Sequence, residues 1–179
     1  MRRALSAGLL CVASACAGHA QPTRSAADDA PRRACVLEGS LRLRIPVPRG
    51  YALATSPQAC VLVNESANDA ALLSFASLPA DGAEAEAILG TEDGARRWLR
   101  ASGLVGTDAS EIADPVELRL FARTRHAYGL QAQPASLGPS DVFVLHARRA
   151  GELLVIMIIS PRDDQAHRRE LLELLAGVR

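Results

Sequence analysis

"DVFVLHARRAGELLVIMIIS", residues 141–160, decides the fold. Two apolar arms flank the polar Ala150-Gly151 stretch, so the segment reads as a β-hairpin turning there. The second arm, residues 153–159, is apolar at every position instead of alternating. A strand of that kind has both faces buried and belongs in the middle of a sheet. At seven residues it falls far short of the ~20 that a membrane-spanning helix needs.

The chain on either side fits around that hairpin. Downstream, Ser160 reads as an N-cap, Pro161 as the first helical residue and Asp163 as the capping-box acid of a closing helix. Leu171, Leu172, Leu174 and Leu175 form its buried side. Upstream, "PVELRLFART" (residues 115–124) sets Val116, Leu118 and Leu120 against Glu117, Arg119 and Phe121, as a half-buried strand does. "HAYGLQAQP" (residues 126–134) reads as less regular.

Two helices are signalled before these strands. Asp81 caps a short one over residues 83–89. Thr91 caps a second that runs through Ser102, with Glu92 and Asp93 in its first turn. Gly103 stands where a left-handed C-terminal cap belongs. Ala95, Trp98 and Leu99 form the apolar stripe, which makes Trp98 a core residue.

Earlier still, "SLRLRIPVP" (residues 40–48) is a strand stopped by Pro46 and Pro48 at a sheet edge. "ACVLVNES" and "AALLSFASL" are two more strands, joined by a hairpin loop over residues 64–69. The fold class is therefore α+β: an antiparallel sheet with helices on one face.

"RLRIPVPRGYAL" (residues 42–53) resembles the opening strand, proline turn and aromatic of the PsbP-like fold, which includes bacterial DcrB-like lipoproteins. "IMIISPRDD" with "LLELLAGVR" (residues 156–164 and 171–179) resembles that fold's closing strand, Ser-Pro cap and C-terminal helix. The likeness spans roughly residues 35–179. It implies a non-enzymatic binding or accessory module and carries no catalytic residues over.

The N-terminus has a separate logic. Arg2 and Arg3 precede a short apolar run, the layout of a signal peptide. "ASAC", ending at Cys16, looks like the lipobox of bacterial lipoproteins, although Ala13 stands where leucine is preferred. "AGHA" offers a competing cut after Ala20. We read residues 1–15 as signal peptide, 16–34 as a lipidated flexible tether beginning at Cys16, and 35–179 as a single domain. Of the 4 cysteines, either cut leaves Cys35 and Cys60 as an even pair in an oxidising compartment, read as a disulfide, with two buried free thiols as the alternative.

Composition narrows the partners. Arg plus Lys and Asp plus Glu number 20 each, and every basic residue is arginine, so no net field selects nucleic acid. No phosphate-binding loop, dinucleotide fingerprint, HExxH or GxSxG motif is present, and no cofactor is expected. Asp163, His167 and Glu170 fall on one helix face, a spacing open to a metal but better explained by capping and helix-dipole stabilisation. His126 and His146 are the candidate bases for a hydrolase.

Arg42, Arg44, Arg119 and Arg123 alternate with core residues. With Phe121 they are expected to line a sheet face left bare by the helices, the apolar-and-arginine mixture that suits a protein partner. The alternative is a solvated face whose arginines pair with Glu65, Glu117 and Glu152. The function expected is a non-enzymatic lipoprotein facing the periplasm, held to the envelope membrane (the outer one in preference), that binds a protein. An immunity protein or an accessory subunit of an envelope machine fits. A small hydrolase and a small-ligand carrier are the other classes considered.

Overall fold

A computed structural model describes residues 29–37, 41–64, 72–78, 83–103, 105, 111–133 and 138–179. Among them the strands are β1 (Arg32–Val36), β2 (Arg42–Pro46), β3 (Tyr51–Thr55), β4 (Ala59–Asn64), β5 (Leu72–Leu78), β6 (Ile112–Leu120), β7 (Arg123–Ala132), β8 (Ser140–Arg149) and β9 (Glu152–Pro161). The helices are α1 (Ala83–Leu89) and α2 (Glu92–Ala101), both between β5 and β6, and α3 (Gln165–Ala176) after β9. Cys16, both cleavage sites, Asp81 and the loop residues 65–69 lie outside the described residues.

The fold is α+β around a seven-stranded antiparallel sheet ordered β3-β4-β5-β9-β8-β7-β6, with β1 and β2 as a separate antiparallel pair. The doubly apolar β9 is the central strand, as its sequence requires. Phe143 and Leu145 of β8 face one way with Ile156 and Ile158, packed under Leu43 and Ile45 of β2 and Leu171, Leu174 and Leu175 of α3. Val142, Val144, Val155 and Ile159 face the other way, under Leu89 of α1 and Ala95 and Leu99 of α2. The helices thus divide between the two faces, where the sequence reading had gathered them on one. Two apolar sides on β8 and β9 demand two covers.

Turn chemistry accounts for the other differences. Ala150 and Gly151 take φ of 52° and 87°, the left-handed pair of a type I′ hairpin turn. Phe121 and Ala122 do the same at 50° and 62°, without the Asn or Gly that normally marks such a turn. Residues 115–124 are therefore not one strand: β6 ends at Leu120, and the supposedly irregular segment that follows is β7, paired on both sides.

β9 also runs on through Pro161, because Asp141 pairs with Ser160 and Ser140 with Pro161 across the ladder. The cap of α3 passes to Asp164, whose Oδ1 accepts the His167 N–H at 2.9 Å, and the capping box at Ser160 and Asp163 does not form. Thr91 caps α2 as read, accepting from the Gly94 N–H, and Gly103 has φ of 71°. Trp98 packs partly buried against the α1/α2 side of the core. At the other end, Arg32, Arg33 and Ala34 belong to β1, so folded structure begins before residue 35.

Cys35 on β1 is bonded to Cys60 on β4, with Cα atoms 6.1 Å apart and neither residue exposed. The bond ties the small sheet to the large one. A second tie runs through Arg44 of β2 and Arg179, which exchange backbone hydrogen bonds of 2.7 and 3.1 Å.

Candidate functional site

In an antiparallel sheet β6 and β8 run in the same direction, so the turns that end them lie at one end of the sheet. The Phe121-Ala122 turn, the last residue of β8 and the chain beyond α3 together line a concavity of about 540 Å³. Phe121, Ala176 and Val178 supply apolar surface, while Arg119, Arg149 and Arg179 supply cations. Its described lining contains no acidic side chain. The Arg149 guanidinium carbon stands 4.3 Å from the Phe121 ring centroid, a stacked cation–π pair. Three cations beside an aromatic floor can take a carboxylate-bearing apolar segment, combining charge-assisted hydrogen bonds with ring burial.

Of the five residues expected on one face, Arg119 and Phe121 meet here. Arg42 and Arg44 alternate with the buried Leu43 and Ile45 and so project from the outer side of the small sheet. Arg123 stands opposite Leu120 and Arg119 opposite Thr124, which sends the two arginines to opposite sides of the sheet. Sequence reasoning missed Arg149 and Arg179. Arg149 was findable, because it directly precedes the Ala150-Gly151 turn.

The α3 cluster assembles differently from its spacing. Asp163 is exposed and precedes the helix, whereas His167 and Glu170 reach back to β3 and β4. Tyr51 donates its hydroxyl to Glu170 Oε2 at 3.0 Å, and burial, then the Glu170 charge, raises the phenol well above its usual range. The ring of His167 stands between two polar partners. Nδ1 lies 2.5 Å from Asp164 Oδ2, and Nε2 lies 3.0 Å from the Asn64 amide nitrogen. Backbone N–H donation from His167, then its ring, holds Asp164 below the usual carboxylate range. With both ring nitrogens engaged, the cluster pins α3 to the β3–β4 edge. Among the described residues no group of three His, Cys, Asp or Glu is placed to hold a metal.

The two candidate bases lie apart from this cluster. His126 is exposed on β7 opposite Glu117. His146 on β8 hydrogen-bonds to the backbone at Leu89, and burial lowers its pKa below 6.5. Glu152, offered as an arginine partner, accepts from Ser77 Oγ at 2.6 Å.

No family model matches this chain, and no curated protein does. Among solved structures it is similar to the solution structure of cyanobacterial PsbP from Synechocystis, at 16% sequence identity and a TM-score of 0.47, over 76% of this chain and 85% of that one. No helix of the described residues is long and apolar enough to cross a membrane.

Proposed function

We propose that this chain is a non-enzymatic envelope lipoprotein, anchored through a lipid on Cys16, whose domain binds a protein partner in the Phe121 concavity. The observation that carries the reading is the backbone of Phe121. A phenylalanine in the left-handed region costs roughly 1–2 kcal/mol, and here it presents an aromatic ring under Arg149 and beside Arg119. Strain kept at a surface turn points to use of the side chain it displays. Arg and aromatic side chains are favoured anchors of protein interfaces. The periplasm-facing location rests on the leader and on the Cys35–Cys60 disulfide, a bond that persists in oxidising compartments. An immunity or inhibitor protein, or an accessory subunit of an envelope machine, suits such a module.

The test is capture of a partner by the purified full chain from envelope extract and from culture supernatant, run beside an Arg119→Glu/Arg149→Glu variant. A stoichiometric protein held by the parent chain and lost by the variant is the expected result. Equal capture by both removes the concavity from the proposal, and no stoichiometric capture removes the binding function. The fraction that yields the partner separates toxin neutralisation from envelope assembly.

A further inference from the structure

The outer flank of α2 carries a feature that the partner-binding reading does not use. Within "TEDGARRWLRASG", residues 91–103, Arg96 falls in the buried row with Ala95 and Leu99 instead of on the solvent side. Its side chain is only 7% exposed. A guanidinium brings five N–H donors and no means of losing its charge. Buried, it needs an acceptor for each nitrogen.

Two nitrogens are met within the protein. Nε donates to the Gly129 carbonyl at 3.3 Å, and Nη1 donates to Glu92 Oε1 at 2.5 Å. Gly129 is fixed as that partner by packing. A Cβ there would meet the Phe143 ring and stand 2.8 Å from the Val142 carbonyl oxygen. Among the described residues Nη2 is buried with no acceptor.

Arg96 lines a concavity of about 310 Å³ between α2 and the start of β6, together with Arg97, Arg100, Asp93 and Ile112. In the described lining three guanidiniums stand with the Asp93 carboxylate, and Arg96 is already paired with Glu92. Arg97 and Arg100 are exposed, long and able to reorient over a ligand. Ile112 is 56% exposed at the rim, so an apolar group has a surface to lie on. This concavity and the Phe121 concavity sit at opposite ends of β6, roughly 26 Å apart at ~3.3 Å per residue.

We propose that this concavity is a binding site for an oxyanion, the carboxylate or phosphate group of a small ligand. Arg97 and Arg100 clamp the group, and Arg96, held rigid by Gly129 and Glu92, adds its fixed positive charge at the base. Bidentate guanidinium contacts suit both kinds of group. Asp93 and Glu92 limit the net attraction, which favours a ligand with more than one negative charge.

Trp98, the only tryptophan of the chain, lies on the same helix and reports occupancy by fluorescence. Inorganic phosphate and, in parallel, acetate are titrated into the full chain at constant ionic strength, with Trp98 emission and thermal melting as readouts. A ligand that binds only the folded state raises the melting temperature saturably. The expected result is saturable binding of at least one anion, weakened at least tenfold in Arg97→Ala/Arg100→Ala with its melting temperature in chloride unchanged. Response to phosphate alone assigns a phosphate ligand, and response to acetate alone assigns a carboxylate. A response no greater than that to chloride overturns the site, as does undiminished binding by the variant.

Discussion

The Arg149 guanidinium lies over the ring of Phe121, joining the ends of two adjacent hairpins through a contact between side chains 28 residues apart in sequence. Phe121 holds a φ of 50° in the turn that follows β6, and Arg149 is the last residue of β8. Phe121→Gly separates the ring's use from its cost. Glycine relieves the backbone strain, while loss of the half-buried ring and of a cation–π contact of about 0.5–1 kcal/mol offsets the gain. The melting temperature is expected to stay within about 3 °C of the parent's, while partner capture falls at least tenfold. A variant that binds normally removes Phe121 from the interface; one that melts far lower marks the ring as core.

Cys35 and Cys60 are joined across 25 residues, and both are buried between the small sheet and the large one. Closing a loop of that size restricts the unfolded chain by about 3 kcal/mol. Reduction, or Cys35→Ala with Cys60→Ala, is expected to lower the melting temperature by roughly 6–12 °C and to speed proteolysis within β1 and β2. Denaturation with and without reductant, beside a free-thiol count on the purified protein, checks this. Two free thiols in the folded protein, or identical transitions, contradict it.

How much of this was legible follows the physics of each element. β9 was readable because a two-sided apolar run has one physical home, and Thr91 with Gly103 marked both ends of α2 by their caps. The Phe121-Ala122 turn was hidden, since its residues lack turn chemistry and the pairing of β6 with β7 lies outside any local pattern. That one hidden turn displaced Arg123 and obscured Arg149. The cap at Asp164 was missed for a related reason: pairing with β8 carried β9 past the local Ser160-Pro161 signal. The seat of Arg96 depends on the carbonyl of Gly129, 33 residues away, and no local pattern contains it.

The "ASAC" stretch makes a prediction independent of the fold. Cys16→Ser removes the only sulfur at the cut site that a lipid can modify, and stable anchoring needs acyl chains. The variant is expected to leave the membrane pellet for the soluble fraction, with its melting temperature unchanged. Fractionation followed by immunoblotting reads the outcome. Retention in the pellet excludes the anchor, whereas release of the parent chain itself selects the alternative cut after Ala20.

His146 gives the fold a pH dependence of definite sign. Burial lowers its pKa below the usual 6.5, and the Arg125 and Arg148 charges act the same way, while Glu86 and the hydrogen bond to the Leu89 backbone oppose them. Glu86 also binds Arg148 at 2.7 Å, so it shares its charge with that arginine. The folded state therefore prefers the neutral imidazole. Its contribution to stability is full above 6.5 and is lost as the pH falls through 6.5 toward the depressed folded-state value. Asp141 acts with the opposite sign: burial raises its carboxyl above 3.8 against the pull of Arg168 and Arg162, so its contribution is lost as the pH rises. Both the parent and His146→Gln keep Asp141, His126 and His167, so the difference between their melting curves isolates His146. Between pH 7 and pH 5 the parent is expected to lose more melting temperature than the variant. Parallel curves would show that His146 titrates alike in the folded and unfolded chains, and that the space beneath α1 admits the charged ring.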